Sequence, residues 1–340
     1  MVRYPTVYLE SFYPGGGIQR QGGDSGCDWV APGIGMTAPP GTELFINCYR
    51  VYLMDLLAKS AEVLGRTVAA KRHRTKSQEL KALIHSTYYN KNEKLYDSDR
   101  QLSQAAPLLM GVVPEDVRGT IQKQLEDIIL VKNKGHLDTG MLGTYFLLQY
   151  LMESGRNDLA YAIINQQDFP GWGYMLSQGA TTFWEQWNGS WSQIHSCYVS
   201  PGSWFYQGLA GIRPDETGPG FKKIIIKPAV VGDLTWVKCS YDSIHGRIVS
   251  NWKREGDPST ELRASKLTMD VTIPINTTAT VYIPAKDAAG VTESGPSTSL
   301  RAGKPAAKAE GVKFLRMENG AAVYEVGSGC YQFSSEKGTK

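Results

Sequence analysis

Apolar positions recur at three- and four-residue spacing through the first two thirds of the chain, then switch to alternation and short β-branched runs. From Thr42, Phe45, Tyr49, Tyr52 and Leu56 mark one helical face, and Gly65 offers a stop. A second helix is expected over about 67–89, polar outside with Leu80, Leu83 and Ile84 inside. Pro114 stands at a helix start with Glu115 and Asp116 in the first turn, where negative charge suits the helix dipole. Val117, Ile121, Leu125 and Ile128 then form a stripe opposite Arg118, Lys123 and Glu126. Between Met141 and Met152 nine of twelve residues are apolar with no polar face, the pattern of a helix enclosed on all sides. Residues 156–167 read as its more polar outer partner, and a last helix is expected near 200–211. Seven or eight helices in antiparallel hairpins, alternately apolar and amphipathic, describe two concentric helical layers.

After Pro214 the period becomes that of strands. Phe221–Lys227, Leu234–Tyr241, Gly246–Trp252, Leu267–Ile273 and Thr278–Ile283 are rich in β-branched residues and separated by turn residues. Asn319-Gly320 signals a hairpin between Val312–Arg316 and Ala322–Val326. A helical region over 1–214 and an antiparallel β-sandwich over 215–340 is therefore expected, an α+β multidomain chain, with a polar excursion at 287–310.

Composition narrows the function. In 340 residues, 36 Lys+Arg stand against 33 Asp+Glu, and a net charge of +3 leaves no basic footprint for nucleic acid. No window reaches the ~18 consecutive apolar residues of a membrane span. No leader is read at the start, so the cytoplasm is the default location. Cys27, Cys48, Cys197, Cys239 and Cys330 are odd in number and far apart, which argues for reduced thiols rather than disulfides or structural zinc. No metal-ligand cluster or cofactor motif occurs.

Chemistry concentrates in one stretch. Eleven of the 38 residues from Phe169 to Tyr206 are aromatic, against 10% for the chain. Indole faces stack on the C–H faces of sugars, and a single acid, Glu185, lies between Trp184 and Trp187. Apolar walls around a carboxyl fit it for acid–base work; the bland alternative is a Glu paired with Arg at a helix end. His195 could meet a substrate hydroxyl or be a satisfied structural histidine. Asp28 and Trp29, on a glycine-rich loop with Asp24, could form a second pocket wall or merely close turns. His73, His85 and His245 read as structural.

Taken together, several runs resemble bacterial α-L-rhamnosidases of glycoside hydrolase family 78. They are Gly135-His-Leu-Asp-Thr-Gly140-Met-Leu-Gly-Thr144, Ser154-Gly-Arg-Asn-Asp158, Trp172-Gly-Tyr-Met175, Gly179-Ala-Thr-Thr-Phe-Trp-Glu185, Pro219-Gly-Phe-Lys222 and Pro274 to Pro284. The resemblance covers nearly the whole chain from about residue 15. It implies part of an (α/α)6 barrel followed by a C-terminal β-sandwich, and inversion at the anomeric carbon by a general acid and a general base. Glu185 matches the family's base, Trp187 lines the rhamnose pocket with Trp184 beside it, His195 matches the pocket histidine, and Asp28 and Trp29 match its Gly-Asp-Trp loop. The family's acid belongs to an upstream motif that this sequence does not contain, so the acid half is expected to precede residue 1. Three readings follow: a portion of a rhamnosidase needing a missing N-terminal half, a minimal enzyme with Asp24 or Asp28 as the acid, or a non-catalytic carbohydrate binder. An open ring would expose apolar sides of helices such as 141–152, so self-association is also expected.

Overall fold

The computed structural model describes residues 17–18, 28–34, 37–255, 265–295 and 304–337. The chain forms two compact units, Met1–Ser200 and Pro201–Lys340. In the first, helices α1 (Thr42–Val63), α2 (Thr67–Tyr88), α3 (Gln101–Leu109), α4 (Glu115–Asp127), α5 (Met141–Glu153), α6 (Asn157–Ile164) and α7 (Trp172–Ser177) follow one another, with a small hairpin of β1 (Tyr89–Asn90) and β2 (Leu95–Tyr96) after α2. Burial alternates along this series. Helix α3 is almost wholly enclosed, and α5 buries Phe146, Leu147, Leu148, Tyr150, Leu151 and Met152. By contrast α2 and α4 bury one stripe each, Leu80 and Ile84 in one and Ile121 and Leu125 in the other. Helix α1 pairs with α2, and α3 packs on α5, so α3 and α5 are enclosed, α1 is buried along part of its length, and α2, α4 and α6 keep one face to solvent.

Helix α5 corrects one expectation. Tyr145 is its one exposed large apolar side chain, because its remaining faces meet α3, α6 and the loop at 28–31. Exposed apolar surface lies instead on α1, at Tyr49, Leu56 and Val63. Among the described residues no helix is long and apolar enough to cross a membrane.

The second unit opens with the short helix α8 (Pro201–Trp204) and a wide turn, Phe205–Leu209. This segment, expected to close the helical region, packs with the strands. The Trp252 indole N–H donates to the Leu209 carbonyl (2.9 Å) and the Ser250 hydroxyl to that of Ala210 (2.7 Å). Five strands form one sheet: β3 (Ile212–Pro214), β4 (Lys223–Ile226), β9 (Thr278–Pro284), β12 (Val312–Glu318) and β13 (Ala321–Val326), in the order β12-β13-β9-β4-β3. Seven form the other: β5 (Trp236–Val237), β6 (Ser240–Ser243), β7 (Gly246–Glu255), β8 (Ser265–Ile273), β10 (Thr292–Glu293), β11 (Lys304–Pro305) and β14 (Gly329–Lys337). All pairs are antiparallel except β4 with β9. Ile224, Val281 and Tyr324 of the first sheet share one core with Trp252, Met269 and Phe333 of the second. Asn319 and Gly320 both take positive φ, 48° and 75°, as a two-residue hairpin requires.

Candidate functional site

The aromatic-rich stretch folds into an irregular loop that doubles back on itself. Glu185 donates its N–H to the Ser192 carbonyl and His195 to that of Phe183, both at 2.9 Å. The reversal between them turns at Asn188 and Gly189, where the Asn188 Oδ1 accepts the Ser190 N–H (3.0 Å). Successive side chains of extended backbone point to opposite sides. Trp184 accordingly goes inward, 6% exposed, while the Glu185 side chain stays half-buried.

Each oxygen of Glu185 meets one N–H donor. Ser192 donates its backbone N–H to Oε2 (3.3 Å), and the Trp29 indole donates Nε1–H to Oε1 (3.4 Å) from 156 residues away. Four bonds hold Trp29 and its neighbours there. Met141 donates its N–H to the Trp29 carbonyl (2.8 Å), the Tyr198 hydroxyl donates to the Val30 carbonyl (2.6 Å), and the Asp28 carboxylate caps the start of α5. Gly140 and Gly143 donate their N–H groups to Asp28 Oδ2 and Oδ1, each at 2.6 Å. This approach needs glycine. A Cβ at Gly143 would stand 2.5 Å from Asp28 Oδ2, and one at Gly140 would stand 2.2 Å from the Trp29 carbonyl oxygen. Burial pushes the Asp28 carboxyl up to about 6, against the two amides and Arg100, which hold it down.

Beneath the loop lies an aromatic floor. Trp172 meets Trp187 edge-on (centroids 5.2 Å, 84°), and Trp187 lies 4.1 Å from Tyr198. The Trp172 indole N–H donates to the Tyr198 carbonyl (2.9 Å). Cys197 is buried beside Glu185; burial first and that carboxylate second push its thiol up to about 11, which leaves it protonated and unreactive. The half-buried His195 accepts the Cys197 N–H on Nδ1 (3.1 Å), so its proton sits on Nε2. Among the described residues no group of three or more His, Cys, Asp or Glu side chains could hold a metal ion.

The structure thus brings Trp29 to Glu185 and places His195 on the strand-like segment paired with it. Asp28 is 1% exposed beneath Trp29, with both oxygens facing the start of α5. Trp187, 2% exposed, and Trp184 lie under the surface rather than on it, because the floor rings and the turn at Gly189 cover them. Asp24 and Cys27 fall outside the described residues. Sequence reasoning missed Trp191, half exposed, its ring centroid 6.4 Å from that of Trp29. It also missed Ser192 and Tyr198. Backbone conformation singles out the same neighbourhood, since Val30 (φ 55°) and Trp191 (φ 65°) both occupy the left-handed region. For bulky side chains that costs on the order of 1–3 kcal/mol and persists where surrounding contacts over-determine it, often at functional sites.

Residues 10–209 match the family model for the bacterial alpha-L-rhamnosidase 6-hairpin glycosidase domain, and residues 211–297 that for the bacterial alpha-L-rhamnosidase C-terminal domain. An alpha-L-rhamnosidase of Streptomyces avermitilis is 30% identical over 303 residues, 86% of this chain and 26% of that protein. One of Formosa agariphila is 31% identical over 242 residues, 67% of this chain and 25% of that protein. The chain therefore spans about a quarter of the length of these curated relatives. Among solved structures, the Streptomyces avermitilis alpha-L-rhamnosidase complexed with L-rhamnose is similar with TM-score 0.82 at 28% identity, covering 98% of this chain and 30% of that one. The enzyme from Dictyoglumus thermophilum is similar with TM-score 0.81 at 28% identity, covering 97% and 35%.

Proposed function

Because the chain belongs to the bacterial α-L-rhamnosidase family, we propose that it carries the base side of a site hydrolysing terminal α-L-rhamnosides with inversion. Glu185 is the general base. It removes a proton from water, whose oxygen attacks the anomeric carbon on the face opposite the leaving oxygen, and a separate acid protonates that oxygen as its bond breaks. Holding each oxygen of Glu185 by one N–H leaves lone pairs for the water and fixes their direction. Trp29 and Trp191 provide indole surface for the sugar, His195 presents Nε2–H to a hydroxyl, and Trp184 and Trp187 support the site from below. Asp28 acts through Trp29, as a positioning residue. The observation that carries this reading is the Trp29–Glu185 contact, which joins two segments remote in sequence around one half-buried carboxylate.

No residue here is assigned the acid, since both Asp28 oxygens are engaged by α5. A leaving group that is already a weak base needs little protonation, and this sets the test. The chain is expected to hydrolyse 2,4-dinitrophenyl α-L-rhamnoside, releasing the β-anomer of rhamnose first by NMR, and to leave an alkyl rhamnoside intact. Glu185→Gln should slow that turnover by about 10²–10⁴-fold, the usual worth of a general base. Turnover independent of Glu185, or the α-anomer appearing first, would overturn the proposal. The buried, helix-capping position of Asp28 also favours a second reading, a carbohydrate binder without turnover. Rhamnose bound but the activated substrate untouched would establish that one.

A further inference from the structure

Against Trp184 the same loop lines a cleft of about 270 Å³ that the proposed reaction does not use. Glu185 does not line it. Its walls carry Gln178, Thr181, Thr182, Asn188 and Gln193, with Trp184 behind them and no charged side chain. The amides are tied at one end and open at the other. Asn188 spends Oδ1 on the Ser190 N–H (3.0 Å), and Gln193 donates Nε2–H to the Gly189 carbonyl (3.2 Å). Thr182 donates its hydroxyl to the Gln193 carbonyl and so ties the two walls together. Asn188 Nδ2, Gln193 Oε1 and the Thr181 hydroxyl have no protein partner among the described residues. The cleft thus presents a fixed donor, a fixed acceptor and a hydroxyl that can be either. Gly189 lies close against the Trp184 ring, where an added Cβ would stand 3.1 Å from it.

We propose that this cleft is a second saccharide site, separate from Glu185, which takes one neutral sugar residue of a longer glycan. Its volume sits just under the ~300–1,000 Å³ of ordinary ligand pockets, the size for a single ring. Neutral amides and hydroxyls match sugar hydroxyls. The absence of Lys and Arg from the lining gives a phosphate or uronate nothing to pair with. The choice of a glycan as the parent ligand rests on the function proposed above; the binding chemistry does not.

The test is an NMR titration of the ¹⁵N-labelled full chain, following the indole N–H signals. Methyl β-D-glucopyranoside is expected to move the Trp184 signal saturably, and glucuronate to leave it in place. Gln193→Ala should weaken that binding at least fivefold. Thr181→Val, which removes only a hydroxyl, should weaken it at least twofold, with the other indole signals unchanged as the check on folding. Glu185→Gln should leave it unaltered. L-Rhamnose is titrated in parallel and read at Trp29. A moving Trp184 signal with a silent Trp29 would sink the rhamnoside site and keep the cleft. A silent Trp184 with every neutral sugar, or equal binding by the variants, would overturn the cleft.

Discussion

At the scale of residues, two carboxyl groups meet opposite surroundings because of where the backbone puts them. Glu185 is half-buried with one donor on each oxygen; Asp28 is sealed against the start of a helix. Trp29→Phe keeps an aromatic side chain, though a smaller one, and removes the N–H. A hydrogen bond to a charged group is worth ~1.5–3 kcal/mol, and the 3.4 Å separation puts this one at the low end, so kcat on the dinitrophenyl substrate should fall about tenfold with KM changed less. Asp28 supplies a pH signature. Its carboxyl titrates near 6 in the folded chain against 3.8 ordinarily, so the folded state binds the extra proton between those values. Its contribution is present at low pH and is lost as pH rises through 6, by on the order of 2–3 kcal/mol. The stability of wild type relative to Asp28→Asn should therefore fall by that amount from about pH 4 to about pH 7, read from urea midpoints. An unchanged gap would show that the group stays ionised throughout.

Residue types announced this site; their geometry did not. The clustering of tryptophans around one acid marks the neighbourhood of Glu185, and the resemblance of Asp28-Trp29 to a known loop marks the other wall. Which indole is open and which is buried depends on an irregular loop with no period to read, so Trp191 was passed over while the buried Trp187 was singled out. A bond spanning 156 residues leaves no trace in spacing.

At the scale of elements, the best-read helices are those whose ends carry punctuation: α1 stops just before Gly65, and α4 starts just after Pro114. Helix α3 was not read from the sequence; it carries Pro107 in its last turn, which leaves the Ser103 carbonyl without its intrahelical donor. Strand β14 was hidden by its polar run Ser-Ser-Glu-Lys, yet it pairs along nine residues with β8 because Phe333 and Ser335 face inward. The junction of α5 with the 28–31 loop makes a sharp prediction. Gly140→Ala and Gly143→Ala force a methyl into occupied space and should each cost about 1–3 kcal/mol in denaturant unfolding. Gly119→Ala, in the open interior of α4, should instead stabilise by up to about 1 kcal/mol. Equal effects at the three positions would contradict the close approach.

At the scale of the molecule, the change of period after Pro214 was the clearest large feature of the sequence; helices precede strands, although strand β3 (Ile212–Pro214) already lies before that point. The segment at 201–209 joined the strands because its last carbonyls have their donors there, a preference no helix pattern reveals. The β unit owns a continuous core, so Pro201–Lys340 should fold when expressed alone, with a dispersed NMR spectrum and a cooperative melt. Trp252→Ala removes a 2% exposed indole and its bond to Leu209, and should cost that unit about 3–5 kcal/mol.

The bond between Trp29 and Glu185 also sets a timetable for synthesis on the ribosome. At 5–20 residues per second, 156 further residues occupy roughly 8–30 s after Trp29 is made. Gly140 and Gly143 are made well before Glu185, so Asp28 can be capped while the carboxylate partner of Trp29 is still untranslated, whereas Tyr198, which holds the Val30 carbonyl, is made only after it. The order of synthesis thus lets the Asp28 end of one wall form first, and leaves its Tyr198 tie to be made together with the segment that carries Glu185.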